Sequence, residues 1–193
     1  IKTYTPTLES NNKLFLGYEG DVKSVKLFTK KNNIETPLRF SKSDNKKSDT
    51  LQVFLPNDAK DSLNVIVKSG NYIKDYMVKL KKLKEGDSLK VSLFANKKFS
   101  FNEKLALLAS TPIKKINSEK IFIRKKDSTL VKFTTSINDF DQQIEFDFKF
   151  DENEKYVIQL LPGAIEDEYR TKNDSLKFDF TKGAISDFGN LKL

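Results

Sequence analysis

Ile144-Glu145-Phe146-Asp147-Phe148-Lys149-Phe150 alternates without a break, four apolar residues interleaved with three charged ones. Successive side chains of a β-strand point to opposite faces, so the stretch predicts a strand with one face buried and the other in water. Noisier runs of the same kind are Leu14 to Tyr18, Val22 to Phe28, Leu51 to Leu55, Leu63 to Lys68, Tyr72 to Leu80, Leu89 to Phe94, Lys120 to Arg124, Val131 to Ile137, Tyr156 to Leu161 and Leu176 to Phe180. Turn residues separate them, among them Glu19-Gly20-Asp21, Lys31-Asn32-Asn33, Pro56-Asn57-Asp58, Ser69-Gly70-Asn71 and Lys172-Asn173-Asp174. Many short strands divided this way predict an all-β sandwich or barrel. Asn102 to Ala109 is rich in helix formers, but Ser110-Thr111-Pro112 stops it before it reaches a self-sustaining length, so it reads as a loop leading into a strand.

A smaller recurrence marks the strand starts. Asp49-Thr50-Leu51, Asp61-Ser62-Leu63, Asp87-Ser88-Leu89 and Asp174-Ser175-Leu176 each put two residues that bond the local backbone before a Leu that supplies the first buried side chain. This is punctuation, and it carries no ligand.

The 193 residues contain no His and no Cys. That excludes a thiolate nucleophile, a Ser-His-Asp triad and the usual zinc, haem and iron–sulfur ligand sets, and it leaves the redox compartment open. The formal net charge is +8, yet only Arg39, Arg124 and Arg170 are guanidinium cations; the rest are Lys. Base edges and phosphates favour the planar, bidentate guanidinium, so the excess reads as a solubilising surface rather than as a nucleic-acid footprint. Residues 1–85 hold 17 of the 35 basic side chains against 10 of the 27 acidic ones, which places nearly all of the excess in the first half.

The charge changes at Lys79-Leu80-Lys81-Lys82-Leu83-Lys84-Glu85-Gly86-Asp87, which predicts two sandwich domains, residues 1–85 and 86–183, with residues 184–193 opening a further module. The first residues, Ile1-Lys2-Thr3, carry no initiating Met, and the chain reads as a segment of a longer protein.

Candidate chemistry is sparse. Glu103, Glu145, Asp147, Glu166, Asp167 and Glu168 offer carboxylates for glycoside hydrolysis, but no spacing sets two of them across a cleft. Asp139-Phe140-Asp141, Asp151-Glu152-Asn153-Glu154 and Asp167 with Asn173 and Asp174 are acidic loops of a type that holds calcium. Tyr4, Tyr18, Tyr72, Tyr76, Tyr156 and Tyr169 are the candidates for a sugar-stacking face, and Tyr72 and Tyr76, four apart in one run, share a side of a strand, although strands favour Tyr in any case. Lys42, Lys46, Lys47, Lys79, Lys81, Lys82 and Lys84 form the candidate interaction surface, set against the plainer role of edge-protecting lysines.

Residues 99–180 carry a family pattern. Phe99-Ser100-Phe101-Asn102-Glu103 is similar to a segment near the start of bacterial Ig-like domains of the S-layer-protein type, and Leu161-Pro162-Gly163-Ala164-Ile165-Glu166-Asp167, following Tyr156-Val157-Ile158, resembles that group's characteristic turn. Lys104 departs from it, standing where the pattern has Pro. The whole chain, through Ser186-Asp187-Phe188-Gly189-Asn190-Leu191, resembles the middle of Bacteroidota cell-envelope lipoproteins described as Ig-like domain-containing.

The resemblance implies two tandem Ig-like sandwiches, no catalytic residues and no cofactor. It further implies export to the outer membrane, periplasmic or surface-exposed, with a lipid anchor outside this segment and other envelope proteins as partners. A glycan- or calcium-binding module of a secreted surface protein is the alternative. Within the turn, Pro162 fixes φ and Gly163 supplies a flexible or positive one, a structural role.

Overall fold

Short apolar runs cut by turn residues fold as strands, and among the described residues the only other regular element is a 3-10 turn at Ser118–Lys120. The computed structural model describes residues 1–42, 49–81, 88–94, 98–99, 104–140, 142–151 and 153–182. Two units divide the chain, Ile1–Ser88 and Leu89–Leu193.

The first unit contains β1 (Lys2–Thr3), β2 (Thr7–Ser10), β3 (Lys13–Glu19), β4 (Lys26–Lys31), β5 (Ile34–Pro37), β6 (Phe40–Lys42), β7 (Thr50–Phe54), β8 (Ser62–Ser69) and β9 (Tyr72–Lys79). One sheet runs β1-β3-β7-β6, with β2 also on β3, and the other runs β5-β4-β8-β9. Leu14, Leu16, Leu51 and Val53 from the first sheet and Leu27, Val65, Val67 and Val78 from the second are buried. Each such side chain contributes about 1.5–3 kcal/mol when fully removed from water. The β4–β5 hairpin turns on Asn32 and Asn33, at φ 50° and 63°. A two-residue turn matching the twist of its strands needs positive φ at both central positions, and Asn tolerates it.

The second unit contains β10 (Val91–Leu93), β11 (Lys98–Phe99), β12 (Leu105–Ala109), β13 (Ile113–Ile116), β14 (Ile121–Lys125), β15 (Leu130–Val131), β16 (Thr134–Asn138), β17 (Gln143–Asp147), β18 (Lys155–Leu160), β19 (Ile165–Asp167) and β20 (Leu176–Lys182). Its sheets run β10-β12-β17-β16 and β11-β20-β18-β14-β15, with β13 and β19 as a separate pair. The core joins both sheets through Leu105, Leu107, Ile144 and Phe146 on one side and Ile123, Tyr156, Ile158, Leu160 and Phe180 on the other.

Lettered in chain order, the first unit stacks sheet A-B-E-D (β1 and β2, β3, β7, β6) on C′-C-F-G (β5, β4, β8, β9). The second stacks A-B-E-D (β10, β12, β17, β16) on A′-G-F-C-C′ (β11, β20, β18, β14, β15). Both are antiparallel sandwiches with the immunoglobulin-like strand order. Among the described pairings only β11 with β20 is parallel.

Three elements differ from the sequence expectation. The strand read through Phe150 leaves its ladder after Asp147, yet Phe148 and Phe150 stay half-buried and pack edge-on to Tyr156 with ring centroids at 5.6 Å. Alternation therefore outlasts the hydrogen bonds, because the rings must reach the core while the backbone turns the corner to β18. The run Val131 to Ile137 divides: β15 pairs with β14 in one sheet and β16 with β17 in the other. Phe133 lies between them, 5.6 Å from Phe146, and anchors the switch between sheets. Val22 and Val25 are buried from a turn, with the strand starting at Lys26. The Asn102 to Ala109 reading holds where it is described, as the strand β12.

Candidate functional site

Lys42 closes β6, and Lys79 closes β9; both are exposed, as is Lys81. β6 is one edge of its sheet and β1 is at the other, while Thr3 of β1 bonds Tyr72 of β9. Lys42 and Lys79 therefore stand at opposite edges of the first unit and do not form one patch. Lys46, Lys47, Lys82 and Lys84 lie outside the described residues, as do Gly86-Asp87, Glu103 and residues 184–193.

The two strand tyrosines do share a face, and it is the inner one. Tyr76 is buried, and its hydroxyl lies 2.7 Å from the Thr3 carbonyl, to which it donates, and 2.8 Å from the Thr3 hydroxyl. The Tyr72 hydroxyl lies 2.7 Å from Thr3 Oγ1 and accepts from the Thr3 N–H at 3.1 Å. Burial raises the Tyr76 phenol above its ordinary value. These hydroxyls tie the first strand to the last, and no sugar-stacking platform is built from them.

The acidic loops are absorbed into structure at Asp167, Asn173 and Asp151, while Asp141 and Glu152 lie outside the described residues. Asp167, almost wholly buried, accepts from the N–H groups of Tyr169 and Thr171 through Oδ1 and from the Thr111 hydroxyl through Oδ2 at 2.7 Å. Asn173, equally buried, accepts from the Ile165 N–H at 2.7 Å and donates to the carbonyls of Leu161 and Asp174. Gly163, at φ +72°, donates its N–H to the Asn173 carbonyl. The segment from Leu161 to Asp167 is thus a turn knitted to its own loop, with β13 pairing onto β19 at its end.

Asp151 accepts a hydrogen bond from the Lys125 ammonium, and that contact holds its carboxyl below the usual range. Glu145 faces Lys104 at 3.8 Å, and Glu166 faces Lys172 at 3.8 Å, each an exposed or half-exposed ion pair. Among the described residues no three acidic side chains group as a metal would need.

One open groove of about 540 Å³ lies in the first unit, between the β4–β5 hairpin and the loop from Pro56 into β8. Its lining mixes Lys30, Lys31 and Lys60 with Asp58 and Asp61, and Lys31 bonds Asp58 at 3.2 Å. That contact lowers the Asp58 carboxyl. Asn64 also lines it, and its buried Oδ1 meets no donor. No sequence motif marks this groove, because it joins residues from three separate runs.

A second feature escaped sequence reading. Tyr156, at the start of the F strand, accepts the Asp151 N–H on its hydroxyl at 2.7 Å, with its ring fully buried. A phenol placed there and bonded to backbone just upstream is the tyrosine corner of immunoglobulin-like sandwiches. Ile158 and Leu107, both fully buried on the F and B strands, supply aliphatic packing in a chain without the inter-sheet disulfide.

The strand orders and the corner define the class: two Ig-like sandwiches in tandem. No family model and no curated protein matches the chain. Among solved structures it is similar to domains 4–9 of the surface layer protein SbsC, at TM-score 0.37 and 10% identity, covering 93% of this chain and 32% of that one. Against domains 5–6 of the same S-layer protein the TM-score is 0.35 and the identity 10%, with 95% and 99% covered. The Dpr2 Ig1-Ig2 complex with DIP-Theta Ig1-Ig3 gives 0.29 and 8%, with 94% of each chain covered. At these scores the overlaps add nothing to the strand order, on which the class rests.

Proposed function

We propose that the chain is a non-enzymatic Ig-like segment of an exported envelope lipoprotein, working through protein–protein contacts in an outer-membrane assembly. The observation that carries this reading is the succession of two sandwiches with one strand order. Such modules present faces and edges to partners. The polar groups that a catalytic or metal site would use, Asp167 and Asn173 above all, are engaged in holding loops. The test is capture of the tagged full-length protein from detergent-solubilised membranes, with mass spectrometry of what accompanies it. Envelope proteins are expected in the eluate; recovery from the cytosol alone overturns the reading.

A second reading, a glycan-binding module, is favoured by the polar-lined groove beside Asn64. Melting curves against a glycan panel, with calcium as a parallel arm, test it. A concentration-dependent rise in Tm with a glycan supports it, and a flat panel removes it.

A further inference from the structure

β9 is the longest edge strand among the described residues, eight residues from Tyr72 to Lys79, paired on one side only, with β8. The other edges are two to five residues long, and β5 ends at Pro37. The phase of the open side follows from one bond. Leu80 donates its N–H to the Asp61 carbonyl, one step beyond the pair Lys79 with Ser62. Hydrogen-bonded and non-bonded pairs alternate in an antiparallel ladder, so Tyr72, Lys74, Tyr76 and Val78 bond β8. Ile73, Asp75, Met77 and Lys79 then turn their N–H and C=O groups to the free edge. The same four residues point outward from the sandwich, where Ile73 is 65% and Met77 67% exposed while Tyr76 and Val78 are buried.

A second copy meeting this edge about a two-fold axis forms an antiparallel pair whose opposed residue numbers sum to a constant. Matching outward faces requires that constant to be even. Centring on Asp75 opposes two carboxylates. Centring on Tyr76 sets Asp75 against Met77 and Ile73 against Lys79, with no complement. Centring on Met77 opposes the two Met77 side chains and places Asp75 against Lys79 twice, once on each side of the axis. That register also joins outward-pointing backbone groups throughout, giving about six hydrogen bonds over residues 75–79. On the inner face it sets Tyr76 beside Val78.

We propose that β9 is a self-pairing edge, and that two copies of this chain join their C′-C-F-G sheets across it with Met77 at the axis and two reciprocal Asp75–Lys79 ion pairs. Lysine on an edge ordinarily deters pairing. Here Lys79 deters every strand that does not offer a carboxylate at the matching position, which makes the edge selective. The inference stands on β9 alone and does not depend on the envelope assignment.

The test uses the whole chain. Sedimentation velocity across protein concentration is expected to show a monomer–dimer equilibrium, with Asp75→Lys and Lys79→Asp each raising the dissociation constant about tenfold and the double exchange D75K/K79D restoring it. The cysteine-free background supplies a second readout. Opposed Cα atoms in a bonded pair lie about 5.5 Å apart, within disulfide range, so Met77→Cys is expected to cross-link to itself under mild oxidation. Ile73→Cys is not, because its copies would sit about 26 Å apart along the strand. A protein that stays monomeric at every concentration overturns the proposal. So does a double exchange no better than the single ones, or equal cross-linking at positions 73 and 77.

Discussion

The two units share a strand order and close it differently. In the first, Thr3, Tyr72 and Tyr76 bridge the first strand to the last by hydroxyls, over a core made mostly of Leu and Val. In the second, Tyr156 stacks on Phe180 at 5.5 Å, Phe148 and Phe150 pack on both, and the phenol holds the E–F corner. The last strand is open in the first unit and covered by β11 in the second. The comparison teaches that strand order needs only alternation and turns, whereas each pin is a local solution using whichever phenol the backbone can reach.

The harshest way to break the comparison is through the cores. Phe146→Ala, at a fully buried ring, is expected to lower the stability of the second unit by about 3–5 kcal/mol, and Leu16→Ala that of the first by about 2–5 kcal/mol. Hydrogen exchange resolved by residue checks both, since each loss should concentrate in the amides of its own unit. Equal loss of protection in both units would contradict the division.

The pins come next. Tyr156→Phe leaves the Asp151 N–H without its acceptor, and Tyr76→Phe leaves the buried Thr3 carbonyl without its donor, so each is expected to cost about 1–2 kcal/mol in its own unit. Chemical denaturation measures the size, and a change below the error of the midpoint would reduce the pins to ornaments of the packing.

pH sharpens the same contrast. Burial raises the Tyr156 and Tyr76 phenols in the folded state. Stability from them is fully present below the ordinary phenol value of about 10, and it is lost as pH rises through the folded value. The denaturation midpoint is expected to fall more steeply from about pH 9 to 11 in the parent than in Tyr156→Phe. The smallest effect belongs to Lys125→Gln at an exposed pair, which should leave the midpoint at neutral pH unchanged within error.

Particular residues show how far the sequence could be read. Leu51 and Leu63 follow Asp-Thr and Asp-Ser and are buried at the starts of their strands, because a turn-former before an apolar residue acts locally. Of the flexible or positive φ expected at Gly163, the structure has the positive one. The division of Val131 to Ile137 between sheets was not legible, since alternation specifies faces and says nothing of which neighbour a strand joins. The corner at Tyr156 and the groove beside Asn64 depend on residues brought together only by the finished sandwich. Clustering along the chain suggests a lysine surface, and the fold sets Lys42 and Lys79 on opposite edges.

The parallel contact of β11 with β20 has a mechanical consequence. When the ends of the second unit are pulled apart, its A′ and G strands slide along each other, so the backbone bonds between them bear the load together in shear. The first unit couples its A and G strands through Thr3 and two phenols, a few side-chain bonds that can yield one after another. Under tension the first unit is therefore expected to yield before the second.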